Sequence, residues 1–271
     1  MAPPGSDSIP WASTGRITPA YRVTQSLLPV GILPFEPGPP QPHIPGIRGD
    51  SPDAEKYLMR IMGTAIQVDD AKLLTTAETV VAFAARRTEP FVLAQIAREN
   101  GRIFIPYKAT HVLPFVDPRT NTVNPAVDLS MLVVPAVSTP EIPYQVKPIH
   151  WGDSTQVGVG DPVMVAGYPL GTDLFLEART NRGFIQPTVY AGVIGAVIPT
   201  LEATDTRLFR ITVPGIGGIS GGAVFSPKNG EVLGMVTTSM HAAASLPQPV
   251  IYAIPSEILR PYVKAVTFER S

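Results

Sequence analysis

The stretch GIGGISGGAVFS, at residues 215–226, places Ser220 inside a GxSGG pattern. Glycines on both sides let the backbone take conformations that other residues avoid, so the stretch predicts a sharp turn that exposes the Ser220 hydroxyl. The amides of Gly218 and Ser220 are then placed to converge on one oxygen, as attack of a serine on a carbonyl requires. The alternative is a glycine-rich hairpin that carries an incidental serine.

Two upstream stretches add to this pattern. KLLTTAETVV, at residues 72–81, reads as a strand followed by a short turn or helix, and VDLSMLVV, at residues 127–134, places Asp128 just before an apolar strand. The order Glu78, Asp128, Ser220 resembles the chymotrypsin-like serine proteases, whose pattern is TAAH, then D-[ILM]-A-[LV]-L, then G-[DN]-S-G-G.

Three further motifs bring the resemblance to the HtrA/Deg subgroup. WGDSTQVGVGDPVMVAGYPLG begins at residue 151, NGEVLGMVT occupies 229–237, and YAIPSE occupies 252–257. They are similar to that subgroup's GDS loop, its NGEVIGINT and its FAIPS. The resemblance covers about residues 60–263. It implies an all-β fold of two six-stranded antiparallel barrels with a C-terminal helix, and PSEILRPYVKAV predicts that helix with Ser256 as its N-cap.

The resemblance also implies roles for individual residues. Ser220 and Asp128 would be the nucleophile and orienting acid of a catalytic triad, and the amides of Gly218 and Ser220 would form the oxyanion hole. The substrate-binding pocket would be formed by Pro214, Thr237, Thr238 and Ser239. Because no acid lies at the base of this pocket, we expect it to accept small or apolar side chains.

Glu78 departs from the family pattern, because it occupies the position of the triad histidine. A carboxylate has a reference pKa of about 4.3, against about 6.5 for imidazole, so it is the poorer proton acceptor at pH 7. Two carboxylates close together also repel each other, so Glu78 cannot replace an imidazole beside Asp128. Ile219 is a second and milder departure from the family pattern. The family has Asp or Asn at this position before the serine.

Four histidines could in principle supply another base: His43, His111, His150 and His241. His43 lies in a proline-rich segment, His150 precedes the GDS loop, and His111 lies upstream of Asp128. A surface or loop role is the ordinary interpretation of each. His241 is the first to test, because it follows the strand that lines the cleft in the family.

The composition predicts an arm followed by a globular domain. Eleven of the 31 prolines fall in residues 1–50, which we interpret as a proline-rich arm. Residues 51–271, with 11 β-rich segments over most of their length, would form the protease-like domain, divided into barrels at about 51–140 and 141–271. Apolar residues within 16–36 are expected to pack on the domain or on a partner.

Composition also limits the partners. The net charge of -1 gives no electrostatic case for nucleic acid, and the chain has no cysteine for a disulfide or a thiolate metal site. Carboxylates lack metal-ligand spacing, so we expect neither metal nor cofactor. No signal peptide or membrane span is predicted, and the absence of cysteine suits a cytoplasmic protein.

Three functions follow as hypotheses. The first is a trypsin-like, HtrA-like peptidase domain that has lost its base and acts by binding a protein or peptide in the cleft. The second is an active serine endopeptidase with a recruited base. The third is a structural assembly protein that self-associates through residues 1–50.

Overall fold

The computed structural model describes residues 18–32, 60–85, 90–98, 101–117, 120–123, 127–134, 148–169, 187–199, 207–213, 218–240 and 250–266. Predictions for the remainder of residues 1–50 lie outside this set. Most of the described residues belong to two antiparallel β units with short helices at three points along the chain.

The first unit is built from the first half of the chain. Its elements are α1 (Pro19–Thr24), β1 (Leu27–Ile32), β2 (Arg60–Gln67), β3 (Lys72–Thr75), α2 (Ala77–Ala85), β4 (Phe91–Arg98), β5 (Gly101–Lys108), β6 (His111–Pro114), β7 (Val116–Asp117), β8 (Thr122–Val123) and β9 (Ser130–Val133). Seven strands form one sheet in the order β5-β4-β1-β2-β3-β9-β6, and β7 pairs with β8.

The two edges of the seven-stranded sheet are consecutive in the chain, because β5 leads into β6 through Ala109 and Thr110. The Ala109 N–H donates to the Pro90 carbonyl at one edge of the sheet (3.0 Å). The Thr110 N–H donates to the Val133 carbonyl at the other edge (2.7 Å). This bend curls the sheet into a half-barrel. The first unit therefore differs from the closed six-stranded barrel that the sequence predicted.

Residues 27–32, which the sequence analysis assigned to the arm, form an interior strand of this sheet. β1 pairs with β2 along its whole length and with β4 at Val30 and Gly31. Leu27, Leu28 and Val30 are all buried. Burial of such side chains stabilises a fold by about 1.5–3 kcal/mol each, which accounts for the inclusion of this apolar segment. These residues thus belong to the sheet rather than lying on its surface.

The second unit is a closed barrel. Its strands are β10 (Pro162–Gly167), β11 (Thr188–Pro199), β12 (Arg207–Thr212), β13 (Ala223–Phe225), β14 (Val232–Met240) and β15 (Val250–Pro255), in the order β10-β11-β12-β15-β14-β13. The sequence alternates as a half-buried strand should: in β12, Phe209 and Ile211 are buried while Arg210 and Thr212 are exposed. The predicted chymotrypsin-like class of fold is confirmed.

The predicted C-terminal helix is also confirmed, as α3 (Ser256–Ala265). Its N-cap is Pro255 rather than Ser256, because the Ser256 hydroxyl donates instead to the Gly152 carbonyl (2.8 Å). Arg207 on β12 donates twice to the Glu257 carboxylate (2.6 and 2.8 Å), which fixes the first turn of the helix to the second barrel.

Tyr262 on α3 joins the helix to the first sheet. Its hydroxyl donates to the carbonyls of Leu113 and Pro114 at the end of β6 (2.9 and 3.1 Å). Its ring packs against Phe115 with centroids 5.3 Å apart. A continuous core of buried side chains from both units surrounds this contact, so the two units pack directly against each other.

Candidate active site

The turn around Ser220 connects the second barrel to the first sheet. Gly218 and Gly221 have positive φ values of 95° and 83°, and the Gly222 N–H closes the turn on the Ile219 carbonyl (2.8 Å). Ile219 is fully buried in the core of the second barrel. The residue that replaces the family's Asp or Asn therefore anchors the turn through apolar packing.

Gly221 occupies a position that only glycine fits. Its φ lies in the region that L side chains rarely adopt, and a Cβ at this residue would overlap the carbonyl oxygen of Thr64. The Gly221 N–H donates to the Val236 carbonyl on β14 (2.8 Å). Tight packing between the two units thus requires this glycine, whether or not Ser220 reacts.

Thr64 on β2 holds the same turn from the first sheet. Its N–H donates to the Ser220 carbonyl (2.8 Å), and its hydroxyl donates to the Gly218 carbonyl (2.9 Å). The same hydroxyl accepts the N–H of Tyr168 (2.9 Å). Burial raises the pKa of Tyr168, whose protonated hydroxyl donates to Leu27 on β1 (3.0 Å). Thr64 therefore fixes the backbone on either side of Ile219 from the first sheet, and Tyr168 of the second unit holds the Thr64 hydroxyl in place.

The amides that the sequence assigned to the oxyanion hole are those of Gly218 and Ser220. No described group accepts a hydrogen bond from either amide. Ser220 itself is partly buried at the turn. An oxyanion hole would need donors that are free of other acceptors, and within the described residues neither amide has an acceptor.

Glu78 lies in the first turn of α2, on the other side of the junction. Thr76 precedes the helix, and its hydroxyl accepts the N–H of Thr79 (3.3 Å) and contacts the Thr79 hydroxyl (2.7 Å). Both threonines are buried, whereas Glu78 is exposed. The local sequence Thr-Ala-Glu-Thr therefore begins the helix with two buried threonines and directs Glu78 to solvent.

Asp128 connects α2 to the second barrel. One carboxylate oxygen accepts the backbone N–H of Glu78 (2.8 Å), and the other accepts the hydroxyl of Thr237 on β14 (2.6 Å). Thr237 directly follows Val236, which accepts the N–H of Gly221. The structure thus brings Glu78, Asp128 and the Ser220 turn to one junction, with Glu78 meeting Asp128 through its backbone.

The two described histidines lie away from this junction. His111 pairs with Val133, at the end of β9 that is farther from Asp128. The His150 carbonyl accepts the N–H of Val232, five residues along β14 from Thr237, which corresponds to about 16 Å of extended chain. His43 and His241 lie outside the described residues.

The predicted substrate pocket is described only in part. Pro214 lies outside the described residues, and for Thr238 and Ser239 only the backbone, within β14, is described. Thr237 is buried, and its hydroxyl is bound to Asp128. The sequence motifs placed Thr237 on the right strand but gave no signal of this hydrogen bond. Sequence reasoning also missed Thr64, which carries no motif of its own.

The described part of the chain has two further properties. It contains no group of three His, Asp or Glu side chains arranged to hold a metal ion. None of its helices combines the length and the apolar composition that crossing a membrane requires.

A curled β half-barrel packed on a closed barrel, with a glycine-flanked serine and an aspartate at their junction, defines a serine protease fold of the chymotrypsin-like class. The sequence matches the family of trypsin-like peptidase domains over residues 63–235, more than half of the chain. The chain belongs to this family.

Individual proteins extend the comparison. A serine protease HtrA-like protein of Staphylococcus epidermidis is 29% identical over 126 residues, which are 44% of this chain and 20% of the relative. The matched region thus spans only a fifth of that relative. Among solved structures, HtrA-type protease AlgW with decapeptide has a TM-score of 0.56 at 15% identity, covering 91% of this chain and 67% of AlgW. An inactive form of Rv3671c from M. tuberculosis H37Rv has a TM-score of 0.53 at 17% identity, with 99% of each chain covered.

Proposed function

We propose that this trypsin-like peptidase domain has lost its catalytic base and acts by binding a polypeptide in the cleft beside Ser220. One observation carries the proposal: Asp128, the orienting acid of the triad, contacts residue 78 through the backbone N–H, and the side chain at residue 78 is a carboxylate. The substitution of histidine by Glu78 is therefore part of the proposal.

The chemistry explains why this substitution removes turnover. An imidazole takes the serine proton on one nitrogen while the other nitrogen donates to the aspartate. A carboxylate has no N–H to donate to Asp128 and is a weaker proton acceptor. Loss of the triad histidine lowers turnover by about a factor of 10⁶, while an oxyanion hole and substrate binding retain about 10³–10⁴ over water.

Binding is the function that remains when the base is absent. The amides of Gly218 and Ser220 stay without a described acceptor, and the Ser220 turn is held rigidly from both units. The similar protease AlgW has been solved with a decapeptide. We propose a peptide as the class of ligand for this cleft. We also propose that Ser220 is catalytically impaired.

The other two hypotheses have less support. A recruited histidine base would be His241 or His43, since His111 pairs at the end of β9 farther from Asp128 and His150 lies beside the end of β14 farther from Thr237. Self-association through residues 1–50 could not use strand pairing by β1, because β1 already pairs with a strand on each of its two edges. A cytoplasmic location stays a prediction that rests on the cysteine-free sequence.

A fluorophosphonate probe tests the loss of the base, because it labels a serine that a neighbouring group activates. We expect the purified protein to be labelled no faster than its Ser220→Ala variant. An active trypsin-like protease is labelled in parallel to confirm that the probe is reactive. Stoichiometric labelling of the wild-type protein at Ser220 would overturn the proposal and lead to a search for a base, beginning at His241.

A further inference from the structure

Among the residues of α2 whose side chains are described, Glu78 and Val81 are exposed, differ in chemistry and lie beside the junction of the two units. Glu78 and Val81 are three positions apart and therefore lie on the same side of the helix, about 5–6 Å apart at Cβ. Val81 is 63% exposed, whereas Thr79 is buried and Val80 packs against the core of the first sheet. We call this pair the Glu78–Val81 face.

The carboxylate of Glu78 has no protein partner within the described residues. Its contact with Asp128 is made by the backbone N–H, and neither ion pair found among these residues, Asp69–Lys72 or Arg207–Glu257, involves Glu78 or Asp128. Asp128 is engaged by an N–H and a hydroxyl, not by a cation. Within the described residues, two carboxylates without a cationic partner thus lie at the junction of the two units.

We propose that the Glu78–Val81 face selects polypeptides in which a basic residue and an apolar residue lie two positions apart in an extended segment. In such a segment, side chains two positions apart point to the same side with a spacing of about 6.5–7 Å, close to that of Glu78 and Val81. The basic side chain would pair with Glu78, and the apolar side chain would cover Val81. This inference rests on the proposed function and names the ligand class of that site.

Charge complementarity favours this ligand over an acidic or a purely apolar one. An acidic segment would meet the carboxylates of Glu78 and Asp128, and like charges repel. A purely apolar segment would cover Val81 but would leave Glu78 partly desolvated without a partner, which is unfavourable. Residue 78 would then no longer transfer protons, and its charge would instead determine which polypeptide binds.

The test uses fluorescein-labelled decapeptides of alanine in which Lys-Ala-Val occupies each possible position, with a matched set that carries Glu-Ala-Val. Binding to the full chain is followed by fluorescence anisotropy. We expect at least one Lys peptide to bind more tightly than its Glu counterpart. Glu78→Gln should weaken that Lys peptide about twofold to fivefold, the size of an ion pair that remains partly in water. High salt should reduce the difference.

Glu231→Gln is the matched control, because it removes the same charge just before β14, at the end of that strand farther from Thr237. It should leave the preference for lysine unchanged. A preference that Glu78→Gln leaves undiminished, or that Glu231→Gln reduces equally, would overturn the inference while leaving polypeptide binding intact. Failure of every peptide to bind the wild-type protein would count against the proposed function itself, and the inference would fail with it. Thermal unfolding of each variant checks that the fold is kept.

Discussion

The turn around Ser220 and the first turn of α2 lie on opposite sides of the junction, and packing constrains them to different degrees. Gly221 cannot carry a side chain, Ile219 is fully buried, and Thr64 holds the backbone on both sides of Ile219. Glu78, in contrast, is exposed, and no described group engages its carboxylate. The fold therefore dictates the serine turn but leaves the side chain at residue 78 open to change.

This difference changes the meaning of the GxSGG motif. In a single chain its presence indicates that the two units pack as in the family, because Gly221 is required by that packing. It does not by itself indicate turnover. Residue 78 carries the more direct information about chemistry, because packing does not prescribe its identity.

The largest effect is expected where packing constrains the turn most. Gly221→Ala would force an alanine into a left-handed conformation and against the Thr64 carbonyl, at a cost of about 3 kcal/mol or more in the free energy of unfolding. Urea denaturation measures this. Gly158→Ala is the control, since its Cβ would meet no atom within 4 Å and it should change stability little. Equal stability of the two variants would contradict the packing of the turn.

A smaller effect is expected from the Thr64 hydroxyl. Thr64→Val keeps the shape of the side chain but leaves the Gly218 carbonyl and the Tyr168 N–H without this partner. Loss of buried hydrogen bonds of this kind costs about 1–3 kcal/mol. Thr64→Ser, which keeps a hydroxyl, should recover part of that stability. If valine and serine variants unfold at the same urea concentration, the hydroxyl does not hold the turn.

The first turn of α3 offers a comparison with Glu78, because it also carries a glutamate. Burial alone would raise the pKa of Glu257, but hydrogen bonds from Arg207 and Ser154 and the charge of Arg207 outweigh it and lower that pKa below its usual 4.5. A lowered pKa in the folded state means that Glu257 stabilises the fold above about pH 4.5. This contribution is lost as the pH falls through the folded-state pKa.

We therefore expect Glu257→Gln to lower the free energy of unfolding by about 1 kcal/mol at pH 7, a value that allows for the partial exposure of the pair. The difference from wild type should shrink as the pH falls below about 4.5 and disappear below the lowered folded-state pKa of Glu257. Glu78→Gln should change stability at pH 7 by less than about 0.5 kcal/mol. A larger loss in Glu78→Gln than in Glu257→Gln would contradict the comparison.

The fold could be predicted from the sequence because its signals are local and spaced along the chain. The stretch around Ser220 predicted the turn that contains this residue. The stretch around Asp128 predicted the strand β9 that follows it. The alternating pattern of β12 and the apolar run of α3 likewise predicted their elements. These features depend on short-range backbone preference and periodic burial, which a single sequence displays.

The remaining features depend on contacts between distant residues. β1 looked like part of an arm because of the prolines around it, and only pairing with β2 and β4 accounts for its burial. The hydrogen bonds that Thr64 and Thr237 make to Gly218 and Asp128 join residues far apart in sequence. No pattern in one sequence marks a threonine for such a role, so these contacts required the structure.

Turnover of a casein-type substrate by the wild-type protein tests the central claim most directly, with Ser220→Ala as the background and Glu78→His alongside. We expect the turnover rates of wild type and Ser220→Ala to be indistinguishable. Glu78→His is the single substitution expected to create activity, since under the proposed function it would supply an imidazole for Asp128 to orient. Clear turnover by the wild type that Ser220→Ala abolishes would show that the domain has kept a catalytic base.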